Sequence, residues 1–150
     1  MAAGDRAYWS DIATIAARTA LSGQQAVNAN TPLTTTMTDM PGALVTITTT
    51  LPNMVALALI AVDFQCTTAS GATPYALISV DGVDQSQNAT FYPGGTVAVG
   101  GRATVSTFCI VSLATVGNHT FKMRAASSSS SGVWRVNSGI STLAALALPA

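Results

Sequence analysis

Residues 104–125 read TVSTFCIVSLATVGNHTFKMRA. Side chains on an extended chain point alternately to opposite faces, so Val105, Thr107, Cys109, Val111 and Leu113 share one side. Thr104, Ser106, Phe108, Ile110 and Ser112 share the other. Gly117-Asn118 turns the chain, after which His119, Phe121, Met123 and Ala125 face one way and Thr120, Lys122 and Arg124 the opposite way. That is the pattern of a half-buried antiparallel strand.

Working outward, the same period of two recurs. Val45, Ile47 and Thr49 alternate with Thr46, Thr48 and Thr50, and the run stops at Leu51-Pro52-Asn53. Val55 to Val62 is apolar on both faces, which predicts a central strand covered twice. A polar loop over Thr67 to Pro74 precedes a strand from Tyr75 to Val80. Asp81-Gly82 then supplies the positive-φ pair of a tight hairpin turn, and Val83 to Tyr92 returns antiparallel. Pro93-Gly94-Gly95 and Gly100-Gly101 punctuate the chain, Ser127 to Ser131 is a surface loop, and Val133 to Val136 is a short strand. In the last stretch Ile140, Thr142, Ala144, Leu146 and Leu148 form one face, and Leu143, Ala145 and Ala147 make the other nearly as apolar. The two doubly apolar strands are expected to lie side by side in a sheet whose outer face packs on neighbouring subunits through Leu57, Leu59, Leu143, Leu146 and Leu148. The alternative is that the first helix of the chain covers them.

Short strands with glycine-rich connections and no βαβ rhythm predict an all-β protein, an antiparallel β-sandwich of jelly-roll type. An immunoglobulin-like sandwich is the runner-up, but the Cys and Trp spacing for it is missing. The first forty residues differ. Tyr8, Ile12, Ile15, Ala16 and Thr19 recur at helical spacing, and Gln24 to Pro41 is polar and Thr-rich. Residues 1–42 are therefore read as a short N-terminal helix and an extended docking arm, and residues 43–150 as the sandwich. Tyr8, Trp9, Ile12 and Ile15 are the expected docking residues, and an ordered arm is expected to lie along another chain.

Composition restricts the function. The 150 residues carry six Lys plus Arg and six Asp, with no Glu, so 8% are charged where about 25% is usual. A net charge of zero provides no field for a polyanion and favours association, which points away from nucleic acid and toward an assembly subunit. No secretory leader and no apolar run long enough for a membrane span is expected. Cys66 and Cys109, the two cysteines, are read as buried free thiols.

Few residues could carry chemistry. His119 is the single histidine, and no Gly-x-Ser-x-Gly elbow accompanies it. One His and two distant Cys cannot build a zinc site. Asp81 and Asp84 could approach a hard cation but do not follow the calcium-loop spacing, and Asp81 reads more simply as a hairpin cap. Gly94-Gly95 and Gly100-Gly101 precede no helix and are not phosphate loops. Asn88-Ala89-Thr90 and Asn118-His119-Thr120 match the glycosylation sequon, which arises often by chance. Hence no catalytic residue, cofactor or metal is assigned. Phe64, Phe91, Phe108 and Phe121 are expected in the core, and Trp134 with Arg135 is the best candidate for an exposed ligand contact.

The segments Tyr75-Ala-Leu-Ile-Ser-Val-Asp-Gly-Val83, Gly117-Asn-His-Thr-Phe-Lys-Met-Arg-Ala125 and Ser141-Thr-Leu-Ala-Ala-Leu-Ala-Leu-Pro149 resemble the small β-sandwich modules of tailed-bacteriophage virion proteins over residues 43 to 149. The resemblance implies a jelly-roll or tumour-necrosis-factor-like homotrimer. It further implies a capsid decoration protein made in the host cytoplasm, bound to the major capsid protein on the outer surface of the virion. The alternative it implies is the receptor- or glycan-binding head of a tail fibre or spike, with recognition loops at Thr67 to Pro74, Pro93 to Gly101 and Ser127 to Trp134. It transfers no catalytic residue, and a soluble enzyme ranks third.

Overall fold

The computed structural model describes residues 21–129 and 132–150. The expected N-terminal helix, with Tyr8, Trp9, Ile12 and Ile15, lies outside the described residues.

The described chain forms strands β1 (Leu21–Ala26), β2 (Thr31–Pro32), β3 (Thr38–Thr49), β4 (Met54–Cys66), β5 (Pro74–Val80), β6 (Val83–Thr90), β7 (Arg102–Leu113), β8 (Gly117–Ser127), β9 (Trp134–Val136) and β10 (Thr142–Pro149). All paired strands are antiparallel. In the first sheet β4 is central: β7 runs along one side of it, while β10 and then β9 occupy the other, with β1 beyond β10 and β2 beyond β9. The second sheet has the order β3-β8-β5-β6. Setting aside the two short strands, the layers read β1-β10-β4-β7 and β3-β8-β5-β6. The chain crosses repeatedly from one sheet to the other, as in a jelly roll built from two Greek keys.

Alternation explains the core. From β4 the sandwich interior takes Met54, Ala56, Ala58, Ile60, Val62 and Phe64, and from β8 it takes Phe121, Met123 and Ala125. These side chains and Leu143, Ala145 and Ala147 of β10 belong to one buried cluster. The Asp81-Gly82 turn has φ of 51° and 84°, the pair of positive values that a twisted two-residue hairpin needs. Asn and Asp tolerate this region better than other side-chain-bearing residues.

The stretch expected to lie along another chain is instead part of this sandwich. β1 pairs residue for residue with β10, from Leu21↔Ala147 to Ala26↔Thr142. Val27 and Leu33 are fully buried and Met40 nearly so, three isolated apolar anchors that a polar, Thr-rich run concealed. Gly23 makes the approach possible, because a Cβ there would sit 2.6 Å from Val45 Cγ1 in the facing sheet. The second sheet likewise begins at Thr38, before the expected boundary at residue 42, with a register shift between Asp39 and Leu44 around Pro41-Gly42.

Candidate functional site

The doubly apolar strands do lie side by side, with β10 pairing β4 from Thr142↔Ala61 to Pro149↔Met54. Among the described residues only one face of each is covered. The outer face exposes Val55, Leu57, Leu59 and Leu148, and Leu146 is half-buried. Register brings them together. Val55 sits across from Leu148, Leu57 from Leu146 and Leu59 from Ala144 on one side, while Leu57 meets Ile110 and Leu59 meets Phe108 on the other. Phe108 and Ile110 are 54% and 65% exposed, so the patch crosses three adjacent strands spaced about 4.8 Å apart. An open groove of about 570 Å³ beside β1 is lined by Ser22, Gly23, Gln24, Leu57, Leu59 and Leu146 among others.

Leu143, expected at a subunit interface, is fully buried in the subunit's own core, because odd and even positions of β10 face opposite ways. Phe108, expected in the core, lies on the outer face for the same reason. Its neighbours Cys109, Val111 and Leu113 take the inner side, where Cys109 and Leu113 are buried. The β7 alternation already grouped Phe108 with Ile110; the assumption that a phenylalanine seeks the interior hid the patch.

Farther along β4 the same outer face becomes polar. Asp63 is buried and accepts hydrogen bonds from Arg102 Nη2 at 2.5 Å, Thr104 Oγ1 at 3.1 Å and Asn137 Nδ2 at 2.5 Å. Its own N–H donates to Ser141 Oγ at 3.0 Å. Burial raises the Asp63 carboxyl, but the hydrogen bonds from Arg102, Asn137 and Thr104 and the Arg102 charge outweigh it and leave the group below its ordinary value. Arg135 extends the network to Gln65 at 2.6 Å and Asn137 at 3.1 Å. This cluster fastens β9 and the turn before β10 onto β4. A lone Asp inside an apolar strand was the sequence signal for it.

Trp134 is not an exposed ligand contact. It is fully buried, donates from Nε1 to the Ala72 carbonyl at 2.8 Å, and meets Phe91 edge-on at 5.6 Å between ring centroids. Arg135 beside it is half-buried. The polar serine loop before Trp134 suggested exposure, but the strand that follows carries the indole under Ala72.

His119 is buried on β8 and bridges two turns. Nδ1 lies 2.7 Å from Asp81 Oδ2 and Nε2 lies 3.0 Å from the Thr115 carbonyl. Both partners only accept, so the imidazolium satisfies both. The Asp81 hydrogen bond raises the His119 pKa against the opposing effect of burial, helped by Thr115 and by the Asp81 charge. Burial raises the Asp81 carboxyl, and the His119 hydrogen bond and the Thr120 N–H at 2.7 Å bring it below its ordinary value. Asp84 turns away to Arg124 at 2.6 Å, so the two carboxylates of the hairpin do not converge on a cation. Among the described residues no group of three or more His, Cys, Asp or Glu side chains is placed to hold a metal ion. Cys66 and Cys109 are buried free thiols, and burial pushes the Cys109 thiol up.

No family model matches the chain, and no curated protein matches its sequence. Among solved structures it is similar to the globular domain of zebrafish complement 1qA protein, at 11% identity and a TM-score of 0.48 over 87% of this chain and 96% of that one. The fold stands on the strand order itself, and a likeness this distant assigns no partner or ligand.

Proposed function

We propose that the chain is a structural protein of a virion: a capsid decoration protein that associates with two further copies through the β10-β4-β7 face and binds the major capsid protein on the outer capsid surface. The observation that carries this reading is the continuity of Val55, Leu57, Leu59, Phe108, Ile110, Leu146 and Leu148 across three strands of one sheet. The outer face of an antiparallel sandwich ordinarily meets water with polar side chains. An apolar patch of this extent marks a contact surface. Covering each large side chain contributes about 1 kcal/mol, since each is already half-shielded.

A second copy of the same chain fits the patch by its chemistry. No charged side chain interrupts it, so nothing selects a partner of opposite sign, and a three-fold ring closes when one part of the face packs on a different part of the next copy's face. The low charge of the whole chain and the resemblance of its hairpin segments to virion modules support the decoration reading. A protein that binds only the assembled shell lowers the free energy of that shell, which is the expected stabilising mechanism.

Residues 21–41 belong to the sandwich, so capsid docking is assigned to residues 1–20, with Tyr8, Trp9, Ile12 and Ile15 as anchors. The test is cryo-electron microscopy of purified empty capsids incubated with the full chain or with a chain lacking residues 1–20. Three-fold density on the outer surface, lost on truncation, is expected. Undiminished occupancy overturns the docking role of those residues, and density at tail tips alone overturns decoration in favour of a fibre head.

A further inference from the structure

The outer face of the second sheet divides into two halves. Around the middle of β8, Lys122 and Arg124 pair with Asp39 and Asp84. Near the start of β5 the face has no charge. Here Tyr75, its cross-strand neighbour Thr90, Asn88, Tyr92, Thr73 and Ser128 line an open cleft of about 300 Å³.

The walls are fixed by the backbone. Thr73 N–H donates to Ser128 Oγ at 3.0 Å while Ser128 N–H donates to the Thr73 carbonyl at 2.9 Å. Phe91 N–H donates to the Pro74 carbonyl at 3.1 Å, and the Phe91 ring is held against Trp134. Tyr92, the next residue, is left 78% exposed. A large aromatic on an anchored strand end, facing solvent, forms a ready contact surface at low entropic cost.

The chemistry of the lining selects the ligand. Hydroxyl and amide groups donate and accept hydrogen bonds, as the vicinal hydroxyls of a sugar do. Tyrosine rings offer apolar faces to the C–H-rich side of a pyranose. With no Lys, Arg or Asp in the lining, nothing compensates a charged ligand for lost water. We propose that this cleft binds a neutral pyranose unit of an oligosaccharide. It lies on the sheet opposite the apolar face, so association through that face leaves it open. Presentation in three copies, which rests on the assembly reading above, raises avidity on a surface bearing many sugars.

The test is an NMR titration of the ¹⁵N-labelled full chain with maltotriose, N,N′-diacetylchitobiose and a rhamnose disaccharide. Saturable shifts centred on Tyr75, Asn88, Thr90 and Tyr92 are expected with at least one probe. Tyr92→Ala, a change at an exposed position, should weaken that binding about tenfold, and Thr48→Ala at the far end of the sheet should leave it unchanged. Absence of saturable shifts with all three sugars, shifts confined to other surfaces, or binding indifferent to Tyr92→Ala overturns the proposal. Leu57→Asp, which should separate the copies, is expected to keep the affinity for the soluble sugar and lower only retention on a surface coated with it. Failure of the assembly reading and failure of the cleft are thereby distinguished.

Discussion

The outer face of the second sheet presents Thr46, Thr48, Thr120, Lys122 and Arg124 along β3 and β8, and its charges are matched by Asp39 and Asp84. The outer face of the first sheet presents Val55, Leu57, Leu59, Phe108 and Ile110, with its one buried carboxylate confined to the far end of β4. Both faces arise from strict alternation, and both cover the same core. One meets water largely with polar side chains, and the other is the face proposed to meet protein. With so few charges in the chain, their placement on the second sheet and at the far end of β4 leaves the middle of the first sheet's outer face apolar.

The largest expected effect separates the faces outright. Leu57→Asp, at the centre of the apolar patch, should convert the proposed trimer to monomer in sedimentation velocity, while Thr46→Asp on the opposite sheet should leave association intact. The charge at Leu57 would be desolvated on association, whereas at Thr46 it stays in water. Equal effects from the two variants would break the comparison.

The second prediction contrasts the two ends of β4. Asp63→Ala should destabilise the chain by about 3 kcal/mol in urea unfolding, because it strands Asn137 and the buried side of Arg102. Leu59→Ala, 46% exposed in the single chain, should cost the Leu57→Asp monomer under about 1 kcal/mol. A larger loss at Leu59 would mean that the patch is already covered from within.

The third concerns pH. His119 is raised on folding, so its contribution is whole below about pH 6.5 and is lost as pH climbs through the raised value. Asp81 and Asp63 are lowered, so theirs is present above about pH 4 and is lost as pH falls through the lowered values. Thermal unfolding should therefore show greatest stability in mild acid. His119→Gln should remove the alkaline limb, worth about 1 kcal/mol since Asp81 is partly solvated. A flat alkaline limb in the unchanged protein contradicts the clamp. Smallest is Lys122→Ala, an exposed pair with Asp39, expected to cost about 0.5 kcal/mol or less in the same assay.

Much of the fold was legible because alternation is local. The Asp81-Gly82 turn, the paired faces of β7 and β8 and the adjacency of the two apolar strands follow from nearest-neighbour patterns. What escaped depends on distant partners. Val27, Leu33 and Met40 are single apolar residues in polar surroundings, and only β10, β9 and the facing sheet give them a place to be buried. Trp134 looked exposed beside a serine loop because its cover, Ala72, is far away in the chain. Of the outer apolar patch, Leu57, Leu59, Leu146 and Leu148 were legible, whereas Phe108 and Ile110 joined them only through the β4–β7 register.

Sedimentation equilibrium of the full chain tests the central claim most directly. The proposed three-fold association through the β10-β4-β7 face predicts a mass three times the 15.2 kDa chain, falling to one chain for Leu57→Asp. A single-chain mass across the whole concentration range, with the Leu57→Asp variant indistinguishable from the parent, would contradict it.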